Sequence, residues 1–275
     1  MKSLLVWVAA LMLIASSDED DARIAQESSG KVECTANRCD VSEQRVSSAA
    51  PQHPEVLRRY AVRPGWSVAG VDYAVGAAST SLKDPATISM AGVSIDASSR
   101  TITISGSNIT LDGYDFSLHG GYQVTLAGAN ATISNSNFAI GTNQGSYLIY
   151  GSSAASNLTI THNTFDGSAI GNATSFIGFA GSGQVTMEYN WFKRFPQHVV
   201  EFTQANGSPS FSVVYKYNLI EQGAIKGGAH LNFLQFGGGT ASSVDVEFNT
   251  TYQTPQASGG EGFQFYSNTQ GGVIQ

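Results

Sequence analysis

One short pattern recurs along this chain at a nearly fixed interval, and that interval constrains the fold more than any other feature. Asn130-Ala-Thr-Ile-Ser-Asn-Ser-Asn-Phe138, Asn157-Leu-Thr-Ile-Thr-His-Asn-Thr-Phe165 and Gln184-Val-Thr-Met-Glu-Tyr-Asn-Trp-Phe192 align without gaps at a spacing of 27 residues. Ser212-Val-Val-Tyr-Lys-Tyr-Asn-Leu-Ile220 follows 28 residues later, and Ser243-Val-Asp-Val-Glu-Phe-Asn-Thr-Thr251 comes 31 after that. Asn108-Ile-Thr-Leu-Asp-Gly-Tyr-Asp-Phe116 precedes the series by 22. Repeats of this length mark stacked architectures. Each period holds short β-type runs punctuated by Gly, Ser and Asn, without helical periodicity. The expected fold is therefore all-β, a parallel β-helix solenoid with one rung per repeat. Parallel crossovers are overwhelmingly right-handed, which makes the expectation a right-handed one.

Stacked rungs turn each repeat position into a column. Two inward columns are expected before the bend: Ile109, Ala131, Leu158, Val185, Val213 and Val244, then Leu111, Ile133, Ile160, Met187, Tyr215 and Val246. Phe116, Phe138, Phe165, Phe192 and Ile220 form a third after it. Thr110, Thr132, Thr159 and Thr186 alternate with these and point outward. Asn163, Asn190, Asn218 and Asn249 stand at the bend, where stacked amides bond to one another and to backbone.

Around this solenoid the chain divides into three. Residues 1–17 read as a signal peptide: a basic start, the apolar run Leu4–Ala15 and small residues at its exit. Residues 18–65 are a polar linker or N-terminal cap region, with a short helix expected around Glu55–Tyr60. Residues 66–275 are the β-helix, expected to be incomplete at an uncapped C-terminal end. Cys34 and Cys39, the two cysteines, suit a small local disulfide loop in an exported protein. The expected localisation is secreted, periplasmic or cell-surface. No later segment is long and apolar enough to span a bilayer, so no membrane partner is expected once the signal is removed. A net charge of −7 argues against nucleic acid.

The Asn-centred turn, the aliphatic and aromatic columns and the rung length over residues 70–275 resemble the pectate-lyase-like, or pectin lyase fold, superfamily of right-handed parallel β-helices. The stretch Val185-Thr-Met-Glu-Tyr-Asn-Trp-Phe-Lys-Arg-Phe-Pro-Gln-His198 is similar to a pectate lyase segment in which an Asn-Trp-Phe turn leads into a Gln-Arg-x-Pro-Arg motif. Here that region reads Gln197-His198-Val199-Val200-Glu201-Phe202. The lyase arginine and the cluster of calcium-binding carboxylates are missing, so no cofactor is expected and calcium has no supporting motif. The resemblance implies a polysaccharide partner, which the chain binds and cleaves, or a non-catalytic adhesin-type β-helix.

The bases are scarce beyond residue 101: Lys193, Arg194, Lys216 and Lys226. Asp166, Lys193, Glu221 and Tyr252 fall one position past the Phe column, with Arg194 beside them. His198 and Lys226 lie further along their rungs, and His230 follows Lys226. β-Elimination on a uronate needs a cation at the carboxylate, a base for the C5 proton and an acid for the leaving oxygen. Lys193 or Arg194 is the candidate neutraliser, and His198 or a lysine the base. Asp166, Glu221, Lys226, His230 and Tyr252 are candidate substrate contacts. Asp166 and Glu221 are also the pair a hydrolase would use. Against both stands a plain ladder of alternating charge, Asp166–Lys193–Glu221, repeated in Glu188–Lys216–Glu247.

Overall fold

The structure is a computed structural model that describes residues 31–35, 38–42, 52–58, 61–141, 145–167, 173–205, 207–221, 232–252, 262–265 and 273–274. It is an all-β parallel solenoid with three faces. A seven-stranded sheet stacks Thr110–Asp112, Ala129–Ser134, Ser156–Thr161, Ser182–Glu188, Phe211–Lys216, Ala241–Glu247 and Val273–Ile274 in that order. A five-stranded sheet stacks Asn137–Ala139, Thr164–Asp166, Trp191–Lys193, Leu219–Glu221 and Thr250–Tyr252. These strands carry the repeat, and their parallel register pairs Ile133 with Ile160, Ile160 with Met187, and Phe165 with Phe192. The third face is an eight-stranded sheet: Val93–Asp96, Thr101–Ile104, Gln123–Leu126, Tyr147–Gly151, Ser175–Phe179, His198–Phe202, Asn232–Phe236 and Gly262–Phe265. Val93–Asp96 pairs antiparallel with its neighbour and closes the N-terminal edge of that sheet. Among the described residues no helix is long and apolar enough to cross a membrane.

The expected columns face as alternation requires. Leu111, Ile133, Ile160, Met187 and Tyr215 are buried, as are the phenylalanines of the third column. Thr159 and its column neighbours stay on the outer face. The phenylalanine rings stack face to face, with centroids 4.4 Å apart for Phe116 and Phe138, 4.9 Å for Phe138 and Phe165, and 5.0 Å for Phe165 and Phe192. At the bend the Asn163, Asn190 and Asn218 amides are fully buried. Each hands a side-chain N–H to the next Oδ1, at 3.2, 3.1 and 2.9 Å, the last reaching Asn249. Ser136 takes the place of the asparagine one rung earlier, and its backbone N–H donates to Asn163 Oδ1. The gapless alignment breaks at one point. A bulge lets Gly183, not Gln184, take the left-handed conformation that Asn130 and Asn157 hold in their rungs.

The residue before each bend position also has positive φ: Asn135, His162, Tyr189, Tyr217 and Phe248. That conformation is costly for bulky side chains, and stacking offsets it. His162, Tyr189, Tyr217 and Phe248 form an outer row of near-parallel rings 4.9–5.1 Å apart. Burial within this row lowers the His162 pKa below its ordinary value of 6.5. The unfolded chain thus takes up a proton that the folded one resists, and stability attributable to His162 is complete above pH 6.5 and falls below it. Thermal midpoints of wild type and His162→Phe, which keeps a ring in the row, should diverge between about pH 7 and 5. Parallel curves would show that the ring is protonated without cost.

The chain ahead of the first rung runs along this row from the late rungs back to the first. Ala69 N–H donates to Thr250 Oγ1 at 3.0 Å, and the Tyr73 hydroxyl donates to the Phe248 carbonyl at 2.8 Å. The Tyr73 ring stands edge-on to Tyr189 and Tyr217. Gly76 N–H donates to the Tyr189 carbonyl, Ala77 N–H to Thr164 Oγ1, and Lys83 N–H to the Gly113 carbonyl. Upstream, Pro54–Leu57 forms a single 3₁₀ turn where a short helix was expected. Among the described residues, strands Lys31–Thr35 and Arg38–Ser42 pair only with each other, placing Cys34 opposite Cys39 in the backbone register. The expected signal peptide, residues 1–17, lies outside the described residues.

Candidate functional site

The bend between the five-stranded and eight-stranded sheets collects most of the long connections: 167–174, 222–231 and 253–261. Insertions in stacked repeats gather on a binding face. The bend with the asparagines, by contrast, is crossed each time by a short, regular turn. Candidate chemistry is therefore sought on the two sides of the first bend.

On the five-stranded side, register places Asp166, Lys193 and Glu221 on adjacent strands, with Tyr252 on the next. Lys193 Nζ lies 3.2 Å from Asp166 Oδ2. Arg194, the residue in left-handed conformation just after the strand, turns back onto the same carboxylate. Its Nε–H donates to Asp166 Oδ1 at 2.9 Å, and its Nη2 donates to Oδ2. Glu221 bonds to Trp191, whose Nε1–H donates to Glu221 Oε2 at 3.0 Å. The Lys193 ammonium sits 4.2 Å above the Trp191 ring, a cation–π contact. Two cations thus share one carboxylate, with Lys193 19% and Arg194 37% exposed at the side chain, and Glu221 on the next strand brings the formal charge of the group to zero. The alternating-charge reading of the sequence is correct in register and in the Asp166–Lys193 pair, while Glu221 serves tryptophan.

The second ladder keeps its expected Lys216–Glu247 pair and gains Asp245. Lys216 pairs with Asp245 at 2.5 Å and with Glu247 at 3.0 Å. Both carboxylates lie on the following strand, and they push the lysine pKa up to about 12.

His198 opens a strand of the eight-stranded sheet and is only 3% exposed, in register with Ser175 and Asn232. The exposed basic patch expected of Lys193, Arg194, His198 and Lys226 is therefore not formed as such, because the imidazole is buried beyond the bend. Lys226 and His230 lie outside the described residues, and so does the side chain of Tyr252.

The eight-stranded face joins Tyr147 and Tyr150, rings the sequence offers as sugar-stacking faces, to a polar group that sequence reading missed. Glu201 Oε2 accepts hydrogen bonds from the Tyr147 hydroxyl at 3.1 Å and the Ser175 hydroxyl at 3.2 Å. Gln235 Nε2 donates to its other oxygen at 3.3 Å, and Asn232 donates to Gln235 at 3.1 Å. Tyr147 stacks on Tyr150 with centroids 5.4 Å apart and planes 13° from parallel. Gly178 makes room for this, since a Cβ there would come within 2.6 Å of the Tyr147 ring. Burial first, then the Glu201 charge, raises the Tyr147 pKa well above the ordinary 10, so its hydroxyl stays a donor. The strands bearing these residues follow connections of unequal length, so no fixed offset from the repeat could reveal them. The available signal was Glu201 itself, a lone acid in the run His198–Phe202. A half-buried carboxylate beside a tyrosine pair can hydrogen-bond the hydroxyls of a ligand.

No protein-family profile matches this chain, and neither the curated proteins nor the solved structures contain a significant match to it.

Proposed function

We propose that the protein is an exported, right-handed β-helix of the pectin lyase type that binds an acidic polysaccharide along the bend between its five- and eight-stranded sheets. The observation that carries this reading is the half-buried Tyr147–Tyr150–Glu201 group on the eight-stranded face, whose carboxylate is held by the buried Ser175 and Gln235. Tyrosine rings offer apolar faces to sugar rings, and the carboxylate offers directional bonds to hydroxyls. Arg194 supplies the preference for an acidic glycan, since it retains donors beyond those given to Asp166 for a uronate. Cleavage by β-elimination is preferred over hydrolysis because Asp166 and Glu221, the pair a hydrolase would use, are each engaged elsewhere. The second reading, a non-catalytic adhesin-type β-helix, is favoured by one observation: both cations are already held by Asp166.

The test is binding of the exported protein to polygalacturonate and to a neutral glucan, with unsaturated products and reducing ends measured in parallel. Affinity for polygalacturonate should exceed that for glucan and weaken as salt rises. Glu201→Gln and Gly178→Ala should each lower it. Lys193→Ala with Arg194→Ala strips Asp166 of its partners, so Asp166→Asn is added to avoid an unpaired carboxylate. That triple variant should bind about tenfold more weakly, a loss of roughly 1.4 kcal/mol, while Lys216→Ala should bind as wild type does. Equal affinity for all variants would refute the assignment. Binding without unsaturated products or new reducing ends would leave the adhesin reading in place of the lyase.

A further inference from the structure

We propose that residues 68–84 are a strap that couples the two ends of the solenoid, so that the rungs open as one unit and not one at a time from an end. A stack in which each rung touches only its neighbours has no such coupling of its own, because its stability is a sum over rungs and nearest interfaces. Residues 68–84 break this locality. At the late end Ala69 N–H donates to Thr250 Oγ1 at 3.0 Å, and the Tyr73 hydroxyl donates to the Phe248 carbonyl at 2.8 Å. The Tyr73 ring meets Tyr217 and Tyr189 edge-on, on the two rungs before. Gly76 N–H donates to the Tyr189 carbonyl at 2.9 Å, and Ala77 N–H reaches Thr164 Oγ1 at 3.1 Å, one rung earlier again. At the early end Lys83 N–H donates to the Gly113 carbonyl at 2.8 Å, and Asp115 N–H donates to the Lys83 carbonyl at 2.9 Å. The Lys83 ammonium donates to the Asp112 carbonyl at 2.7 Å. Asp84 completes this clasp, its two carboxylate oxygens 2.9 and 3.0 Å from His119 Nε2.

The contact is fitted along its length. Val68, Ala69, Val75 and Gly76 are buried. Gly76 has positive φ and lies so close to the rungs that a Cβ would stand 2.6 Å from Thr164 Oγ1 and 3.1 Å from Trp191 Cβ. Ordering the strap costs conformational entropy. Each anchor that holds lowers the cost of seating the next, so the anchors support one another without direct contact. Losing the early clasp therefore weakens the hold on the last rung, and the reverse. The device matters for the eight-stranded face, because Tyr147, Ser175, Glu201 and Gln235 come from successive strands. A rung that opened alone would disperse that group. The coupling does not depend on what the group binds.

Amide hydrogen exchange, followed peptide by peptide in the whole protein, tests the strap. In wild type the Gly113, Trp191 and Thr250 amides, bonded to Ser134, Asn163 and Asn218 on neighbouring rungs, should be protected alike. Asp84→Ala opens the early clasp and should speed exchange at Thr250 at least about fivefold, the lower end of coupling between distant sites. Tyr73→Ala frees the late end and should speed exchange at Gly113, since such coupling is reciprocal. Gly76→Ala, which lifts the middle of the strap, should speed both. If Gly76→Ala does not fold, the two end variants still decide. Acceleration confined to the substituted end in either of them would overturn the proposal. So would a wild type in which Thr250 already exchanges faster than Trp191, because the last rung would then fray alone.

Discussion

Asn190→Ala is expected to be among the most damaging single substitutions in this protein, costing about 3–5 kcal/mol of stability. The estimate rests on roughly 1–3 kcal/mol for each buried polar group left unsatisfied. The Asn190 amide serves several groups at once. Its Oδ1 accepts the Asn163 backbone N–H at 2.9 Å, and its Nδ2 donates to the carbonyls of Ile160 and Glu188 at 2.9 and 3.1 Å. Alanine removes all of these at a fully buried site, where water cannot replace them. Asn249→Ala should cost less, because Asn249 closes the ladder at a partly exposed position. Urea unfolding reads both through the midpoint, provided the slope is unchanged. A loss below about 1 kcal/mol for Asn190→Ala, the worth of a single ordinary hydrogen bond, would mean that the turn rearranges and the ladder does not hold the bend.

Phe165→Ala should cost a similar amount, about 3–5 kcal/mol, the range for truncating a buried aromatic. Phe165 is fully buried and stacks on Phe138 and Phe192, with a further contact to Phe176 from the third sheet. Its removal therefore opens a cavity between three rungs and unpins two faces of the solenoid. Thr159→Ala lies six residues earlier on the outer face and should change stability by less than about 0.5 kcal/mol, as surface substitutions do. Equal shifts in midpoint for the two variants would mean that inner and outer faces had been exchanged.

Much of the fold was legible because a parallel stack translates a spacing in sequence directly into a neighbour in space. The offsets among Asn163, Asn190, Asn218 and Asn249 became hydrogen bonds, and the Phe138, Phe165 and Phe192 offsets became stacked rings. The candidate site was less legible. Asp166, Lys193 and Glu221 were correctly placed on neighbouring strands, yet register does not choose partners. Arg194 reached Asp166 only because its left-handed backbone turns the side chain back, and Glu221 was taken by the Trp191 indole.

The sequence by itself determined the rungs, the two repeat-bearing sheets, the core columns and the asparagine ladder, because like side chains recurring once per rung stack on one another. Only the tertiary structure decided the contents of the eight-stranded face, where Tyr147, Ser175, Glu201 and Gln235 converge after connections of unequal length. It also decided the course of the N-terminal chain, whose Tyr73 meets Tyr189, Tyr217 and Phe248 far along the sequence. Such contacts obey no local period. They arise because a solenoid exposes one row of rings along its whole length, and any apolar segment long enough to follow that row lowers its free energy by covering it.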